Sequence, residues 1–427
     1  MPDLSAEFQQ ISGRRLTPSR GSGEGLIGGT LDRIAPGHGG EFAVVDGYRA
    51  VAACGVVLHH IGVESYYASF DGPIGLFLVN LGNFGVAVFF LISGFLLYRP
   101  FVVAQLSDGP PPSRRRFWAR RLVRILPAYW AALLAFELFV SPVTPTVGGL
   151  IRRALLIDIY AKGGVFRGLD ISWTLTIELS FYLVLPFIAG WIGSRQPSGS
   201  SDRRRRRVHG LSLAVMYIVG VVCRTLVTTN TVTFGDGSYL TIFCFLDWFA
   251  LGMGLAVVVA WRQSGRTLAA GLTDFANRTW ACWLCAAMAY GASVVIQRDR
   301  ISILDAEPSL AFGLRVFFNG IAACCFLLPA VVGTTRGLGL RILSSRPAVF
   351  LGVISYGIYL WHKLIIHWVW SHATAFPPRQ AFLAHLAWVL IPTVAVATAS
   401  YCVIERPLAE WWRQRESDAV AHVDPRA

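Results

Sequence analysis

About ten mostly apolar stretches recur along this chain, each long enough to cross a hydrocarbon core of ~30 Å as a helix, and they leave room for few other architectures. A crossing takes roughly 17 to 25 such residues. The candidates run 43–63, 74–98, 122–141, 172–193, 209–228, 239–261, 279–297, 312–334, 348–370 and 380–403. With 54% apolar and 15% charged residues and a mean hydropathy of +0.52, the sequence predicts an all-α polytopic membrane protein of about ten transmembrane helices. The fifth stretch is the weakest, because it ends at Arg224, and the short run Leu155 to Ile159 reads as an interfacial helix. Three regions follow: 1–41, polar and expected to be a disordered cytoplasmic extension; 42–407, the ten-span domain; and 408–427, a cytoplasmic tail.

The net charge of +13 sits mostly between the apolar stretches, which fits basic membrane-flanking loops and not nucleic acid binding, for which no water-facing domain is present. The eight cysteines lie in or beside apolar segments and read as small buried hydrophobes. Cys282 and Cys285 form a C-x-x-C without a second ligand pair, so neither a metal nor a disulfide framework is expected.

Arginine placement sets an expected orientation. Arg99 to Arg121 and Arg195 to Arg207 are the richest segments and belong on the cytoplasmic side, whereas Gly62 to Pro73 is acidic with no Lys or Arg. The segments around Arg262 and Arg266, and around Arg336, Arg341 and Arg346, fall on the cytoplasmic side too if every span crosses, so both termini are cytoplasmic. Abundant Ala, Gly and Arg with scarce Lys points to a GC-rich bacterium, hence to its plasma membrane. One loop is discordant. Segment 142–171 puts Arg152, Arg153, Lys162 and Arg167 outside, where it folds against the membrane or meets an anionic acceptor.

Within the first stretch stand Arg49 and His60, eleven residues apart. On a helix that spacing places both on one face, about 16 Å apart. Such groups are costly within a span and are usually functional. Orientation divides the polar residues into two tiers. An inner tier holds Asp46, Arg49, Arg99, Arg120, Arg121, Arg124, Glu405 and Arg406, and an arginine cluster of this kind suits a phosphorylated ligand. For the runs Arg114 to Arg116 and Arg203 to Arg207, orientation alone is explanation enough. An outer tier holds His60, Glu178 and His362, a base and a carboxylate able to take a proton from a hydroxyl and orient the imidazole.

These residues fall in blocks that resemble the integral membrane acyltransferase type 3 family, whose members O-acylate sugars and other hydroxyl compounds. Asp46-Gly47-Tyr48-Arg49 followed by His60 looks like its signature of Arg, ten residues and His. Gly85 to Leu96 resembles its second span, which includes Ser93, and Phe117 to Trp130 its third, with Arg121 and Arg124 as Arg-x-x-Arg. Trp173 to Glu178 with Phe181, Tyr182 and Pro186, Leu351 to His362 with Tyr356, and Ile404 to Pro407 complete six blocks in order.

The resemblance implies a cytoplasmic acyl-CoA co-substrate, acetyl-CoA foremost, and no permanently bound cofactor. It places Arg49, Arg121 and Arg124 near the CoA, and His60 in transfer, as general base or transient acyl carrier, with Glu178 as its orienting carboxylate. Asp46, Ser93, Trp173, Tyr356 and His362 are candidates for substrate contact. The acceptor is the hydroxyl of a carbohydrate, glycolipid or related compound; polysaccharide, peptidoglycan and macrolide all fit. Two features depart from the fuller family pattern: the long N-terminal extension, and a chain that stops soon after its tenth span, so no relay to a second, extracellular site is expected within it. A transporter or flippase for a polar or lipid-linked solute is the chief alternative, since such proteins also carry embedded Arg, Glu and His. Against it, the two halves show no sequence repeat.

Overall fold

In the computed structural model, residues 43–423 are described apart from 65–71, 142–145, 162–167, 230, 232–237, 297–309, 335–336 and 373–377. The expected extension over 1–41 lies outside the described residues, as do Lys162 and Arg167. Every described element is helical: α1 (Ala43–Glu64), α2 (Gly72–Leu106), α3 (Arg114–Phe139), α4 (Val147–Ala154), α5 (Ser172–Ser194), α6 (Asp202–Thr228), α7 (Leu246–Gln263), α8 (Ala270–Asn277), α9 (Thr279–Ile296), α10 (Leu310–Val331), α11 (Leu338–Leu343), α12 (Arg346–Val353), α13 (Ser355–His372), α14 (Pro378–Ser400) and α15 (Arg406–Val423).

Among the described residues, eight helices are long and apolar enough to cross a membrane, nine if the bent pair α12 and α13 makes one crossing. The first expected span, α1, has the length at 22 residues. It is not among those eight or nine, because Asp46, Arg49, His59, His60 and Glu64 interrupt its apolar character.

Helix α2 is central and packs on α1 and α7. The start of α1 is gripped by α11 and α12 through glycines: Gly47 lies on the Leu343 backbone and Gly352 on the Asp46 backbone, so close that a Cβ at either would collide with main-chain atoms. Small residues permit this approach, as is usual between helices in membranes.

Several boundaries differ from the sequence reading. α3 starts at Arg114 and α6 at Asp202, so both arginine runs are helical and not loop. Arginine is a good helix former, and Ser201 caps α6 by accepting from the Arg204 amide at 3.4 Å. In the discordant loop the helix is α4, with Thr146 capping Gly149 at 3.2 Å, and Leu155 to Ile159 is not an interfacial helix of its own. Two of its arginines are neutralised locally: Arg152 pairs with Asp158 at 3.2 Å, and Arg153 with Glu137 and, at 3.6 Å, Asp158. The ninth span, expected to be continuous, breaks at Ile354, where α12 and α13 meet at 69°. The tenth continues through a π turn, Tyr401–Glu405, into α15, so the tail beyond 407 is helical as far as 423.

Different contacts tie the two ends of the bundle. At one, Arg205 binds Asp108, Arg266 binds Asp202 at 2.8 Å and Arg99 binds Gln263 at 2.8 Å; this is the arginine-rich end. At the other, Lys363 of α13 binds Glu64 of α1 and, at 3.1 Å, Asp170 ahead of α5.

Candidate active site

Five helices, α1, α2, α3, α5 and α13, line a partly open cavity of about 780 Å³. Helical spacing decides what faces it. Arg121 and Arg124 on α3 are three residues apart, Glu178 and Tyr182 on α5 four apart, and Tyr356 and Tyr359 on α13 three apart, so each pair shares one helix face. Arg49, Ser93 and Thr174 complete the polar lining. The bend at Ile354 aims α13 so that this tyrosine face meets α3 and α5.

Side-chain hydrogen bonds hold the lining in place. One oxygen of Glu178 accepts from the Ser93 hydroxyl at 2.5 Å and from the Tyr182 hydroxyl. Tyr356 donates to the Ile125 carbonyl at 2.8 Å. Pro186 has no N–H for the Tyr182 carbonyl, and the Trp118 indole N–H, 3.0 Å away, takes that place.

The arginines are disposed differently. Arg49 lies 3.8 Å from Asp46, which stands just outside the lining, and Glu405 of the π turn lies in the field of Arg124 and Arg49. Arg121 and Arg124 make no ion pair or hydrogen bond among the described residues, and the Arg121 Nε is buried without a partner. Uncommitted guanidinium donors at membrane depth are costly unless an anion completes them.

Toward the other end, His60 and His362 meet. His60 Nδ1 lies 3.0 Å from the Val56 carbonyl and 3.1 Å from His362 Nε2. His362 Nδ1 lies 2.7 Å from the Tyr359 carbonyl and 3.2 Å from that of Ile358. Carbonyls only accept, so by hydrogen-bond pattern each Nδ1 carries the proton. His362 Nε2 then accepts from His60 Nδ1–H, and His60 Nε2 keeps a bare lone pair. His59 plays a packing role: its ring sits over Gly82, where a Cβ would approach within 2.7 Å, and its Nδ1 bonds the Val79 carbonyl at 2.6 Å.

The cavity and the histidine pair are adjacent but distinct. Neither histidine lines the cavity. Tyr359 belongs to both, lining the cavity with its ring centroid 5.9 Å from that of His362. Its hydroxyl is fixed by Thr174 Oγ1 at 2.6 Å and the Ile171 carbonyl at 2.9 Å.

Of the residues picked out in the sequence, Arg49, Arg121, Arg124, Ser93, Glu178 and Tyr356 are brought together on the cavity. His60 and His362 pair with each other. Asp46 backs Arg49. Trp173 is not in the cavity but packs on Phe245, with centroids 5.9 Å apart. Glu178 is also not where the two-tier reading put it: it is bonded to Ser93 and Tyr182 among the arginines, and the group on His60 is an imidazole, not a carboxylate. Tyr182 and Tyr359 escaped notice as site residues, although their offsets from Glu178 and His362 were a readable signal.

The sequence model of the acyltransferase domain, type 3, matches residues 42–402. "Putative peptidoglycan O-acetyltransferase YrhL" of Bacillus subtilis is 27% identical over 85% of this chain and 54% of its own length. Nodulation protein 10 of Rhizobium leguminosarum bv. viciae is 24% identical over 89% of this chain and 95% of its own length. O-acetyltransferase OatA of Staphylococcus aureus is 23% identical over 85% and 56%. The chain thus spans about half the length of the first and third of these relatives. No solved structure matches it. Since the family's domain covers α1 to the π turn, with every helix that lines the cavity or carries the histidine pair, the chain belongs to the type 3 acyltransferase family.

Proposed function

We propose that this protein is a membrane O-acyltransferase that takes an acyl group, acetyl foremost, from acyl-CoA at its arginine-rich, cytoplasmic end and transfers it to a hydroxyl of an envelope glycan. The observation that carries this reading is the pair Arg121 and Arg124, uncommitted among the described residues and facing a membrane-embedded cavity. Guanidinium forks bind phosphate bidentately, and a diphosphate completes them. From Arg49 to His60 the helix rises about 16 Å, comparable to much of an extended pantetheine arm, so a donor held by its phosphates reaches toward the histidine pair with its thioester.

His60 then works as general base through Nε2. The acceptor hydroxyl gives its proton to Nε2 as its oxygen bonds to the thioester carbonyl carbon; the C–S bond breaks and CoA leaves as the thiolate, which recovers the proton from the imidazolium. His362 positions His60 by accepting its Nδ1–H. Glu178, bonded to Ser93 and Tyr182, keeps the cavity wall in register with the arginines. The Bacillus subtilis relative, named a putative peptidoglycan O-acetyltransferase, supports a glycan acceptor such as peptidoglycan, and the Staphylococcus aureus relative, named an O-acetyltransferase, supports transfer to oxygen.

The test uses purified protein in detergent with labelled acetyl-CoA and a soluble glycan acceptor. His60→Ala loses transfer by roughly 10²- to 10⁴-fold, while CoA binding stays at the wild-type level. A His60→Ala protein that still transfers overturns the base assignment. Label trapped on His60 in the absence of acceptor converts it from base to acyl carrier, and solute counterflow without CoA binding favours transport over transfer.

A further inference from the structure

A second cavity, of about 1090 Å³, adjoins the first at the arginine-rich end, and the two share Leu96, Leu97 and Arg121. Its walls are the last turns of α2, the first turns of α3 and the Pro111-Pro112-Ser113 linker between them. The composition is that of a nucleotide pocket more than of a lipid contact. Arg116 and Arg120 stand one helical turn apart on a single face of α3, one turn before Arg124. Phe101 and Phe117 supply ring surface, edge to face at 5.7 Å. Pro100 has no N–H, so the Leu96 carbonyl at the junction of the two cavities is released from the helical ladder as an acceptor.

Arg116 to Arg124 covers about 12 Å of helix, so α3 offers two separated phosphate sites, not one. Arg121, Arg124 and Arg49 form the inner one. Arg116 and Arg120 form the outer, where Arg120 already holds Glu416 of α15 through Nε at 3.1 Å and keeps its two terminal nitrogens.

We infer that this outer cavity binds a purine nucleoside carrying a phosphate apart from its diphosphate, the 3′-phosphoadenosine end of CoA, with Arg116 and Arg120 on the 3′-phosphate. This rests on the acyl-CoA reading of the inner cavity and adds to it a reason for selecting CoA over its 3′-dephospho form. It also gives a task to Arg116, which the sequence reading left to orientation.

The experiment compares kcat/KM for acetyl-CoA and acetyl-3′-dephospho-CoA in detergent. Wild-type protein prefers acetyl-CoA by about tenfold or more, the worth of one or two charge-assisted hydrogen bonds. Arg116→Ala/Arg120→Ala brings the ratio close to one. Because Arg120→Ala also breaks the contact with α15, Glu416→Gln serves as control and keeps the wild-type ratio, as does Arg115→Ala, which lies outside the cavity. Equal use of the two donors by wild-type protein, or a preference retained in the double variant, overturns the outer site and leaves the acyl-CoA reading standing. If the wild type neither binds nor uses either thioester, the acyl-CoA reading itself fails.

Discussion

An imidazole that is to take a proton from an alcohol must present a bare nitrogen, and at His60 backbone carbonyls decide which one that is. Val56 fixes Nδ1–H on His60, and Tyr359 and Ile358 fix it on His362, so the pair sets two oriented rings, tilted by 50°, where a carboxylate–imidazole pair was expected. If His362 acts by accepting from His60, its replacement costs turnover and spares donor affinity. His362→Leu is expected to lower kcat by roughly 10²-fold with the KM for acetyl-CoA unchanged, and His362→Gln, whose amide oxygen can still accept, to recover a good part of that loss. A matching rise in KM, or equal kcat in the Leu and Gln variants, would remove His362 from this role. The sharing of one face by Arg49 and His60 was legible from the eleven-residue spacing. The partner was not, because His362 is 302 residues away and the depth of a residue within a span does not say which neighbour it turns to. Glu178 illustrates the same gap: its helix was identified, but Ser93 and Tyr182 draw its carboxylate toward the arginines.

Among the elements, Arg205 helps to fasten the arginine-rich ends of α2 and α6. Arg205 is 2% exposed and binds Asp108 through both carboxylate oxygens at 2.8 and 2.9 Å, together with the Gln105 and Ser200 carbonyls. Asp108 adopts φ 54°, a left-handed conformation that Asp tolerates better than most residues, and it opens the Pro-rich linker that walls the outer cavity. Hydrogen bonding from Arg205 holds the Asp108 carboxyl below its ordinary range. The folded value being the lower one, the contribution is present at neutral pH and is lost as pH falls from about 4, the unfolded carboxylate value, through the depressed one. Asp108→Ala should therefore lower the melting temperature in detergent by several degrees at pH 7, and the gap from wild type should close below about pH 4. Intrinsic tryptophan fluorescence reads both; a gap constant with pH would assign the effect to the backbone and not to the ion pair. Apolar length marks the long apolar helices, but not the short α4, α8 and α11 or the polar α15, and it misplaces where α3 and α6 begin, because charge marks the edge of the membrane and not the end of a helix. The break at Ile354 left no mark, since both α12 and α13 are apolar.

On the scale of the whole molecule, the mechanism needs the two ends to face different compartments, and the charge distribution provides an asymmetry for that. At the end opposite the arginine runs, Arg152 and Arg153 are matched by Asp158 and Glu137, and Lys363 by Glu64 and Asp170. Orientation follows the excess of Lys and Arg and not the net charge, and the runs Arg203 to Arg207 and Arg114 to Arg116 outnumber these three cations. Arg152 and Arg153 of loop 142–171 thus have partners within the fold and need no anionic ligand. Single cysteines test the consequence in a background with the eight native ones replaced. Ser198, exposed at the arginine-rich end, and Tyr160, 50% exposed in the loop between α4 and α5, are suitable positions. A membrane-impermeant maleimide applied to intact cells is expected to label Tyr160→Cys and to reach Ser198→Cys only after the membrane is opened. The reverse pattern would turn both arginine cavities away from the cytoplasm, where acyl-CoA is made and held, and a phosphate-lined donor route could not then be reconciled with the orientation of the protein.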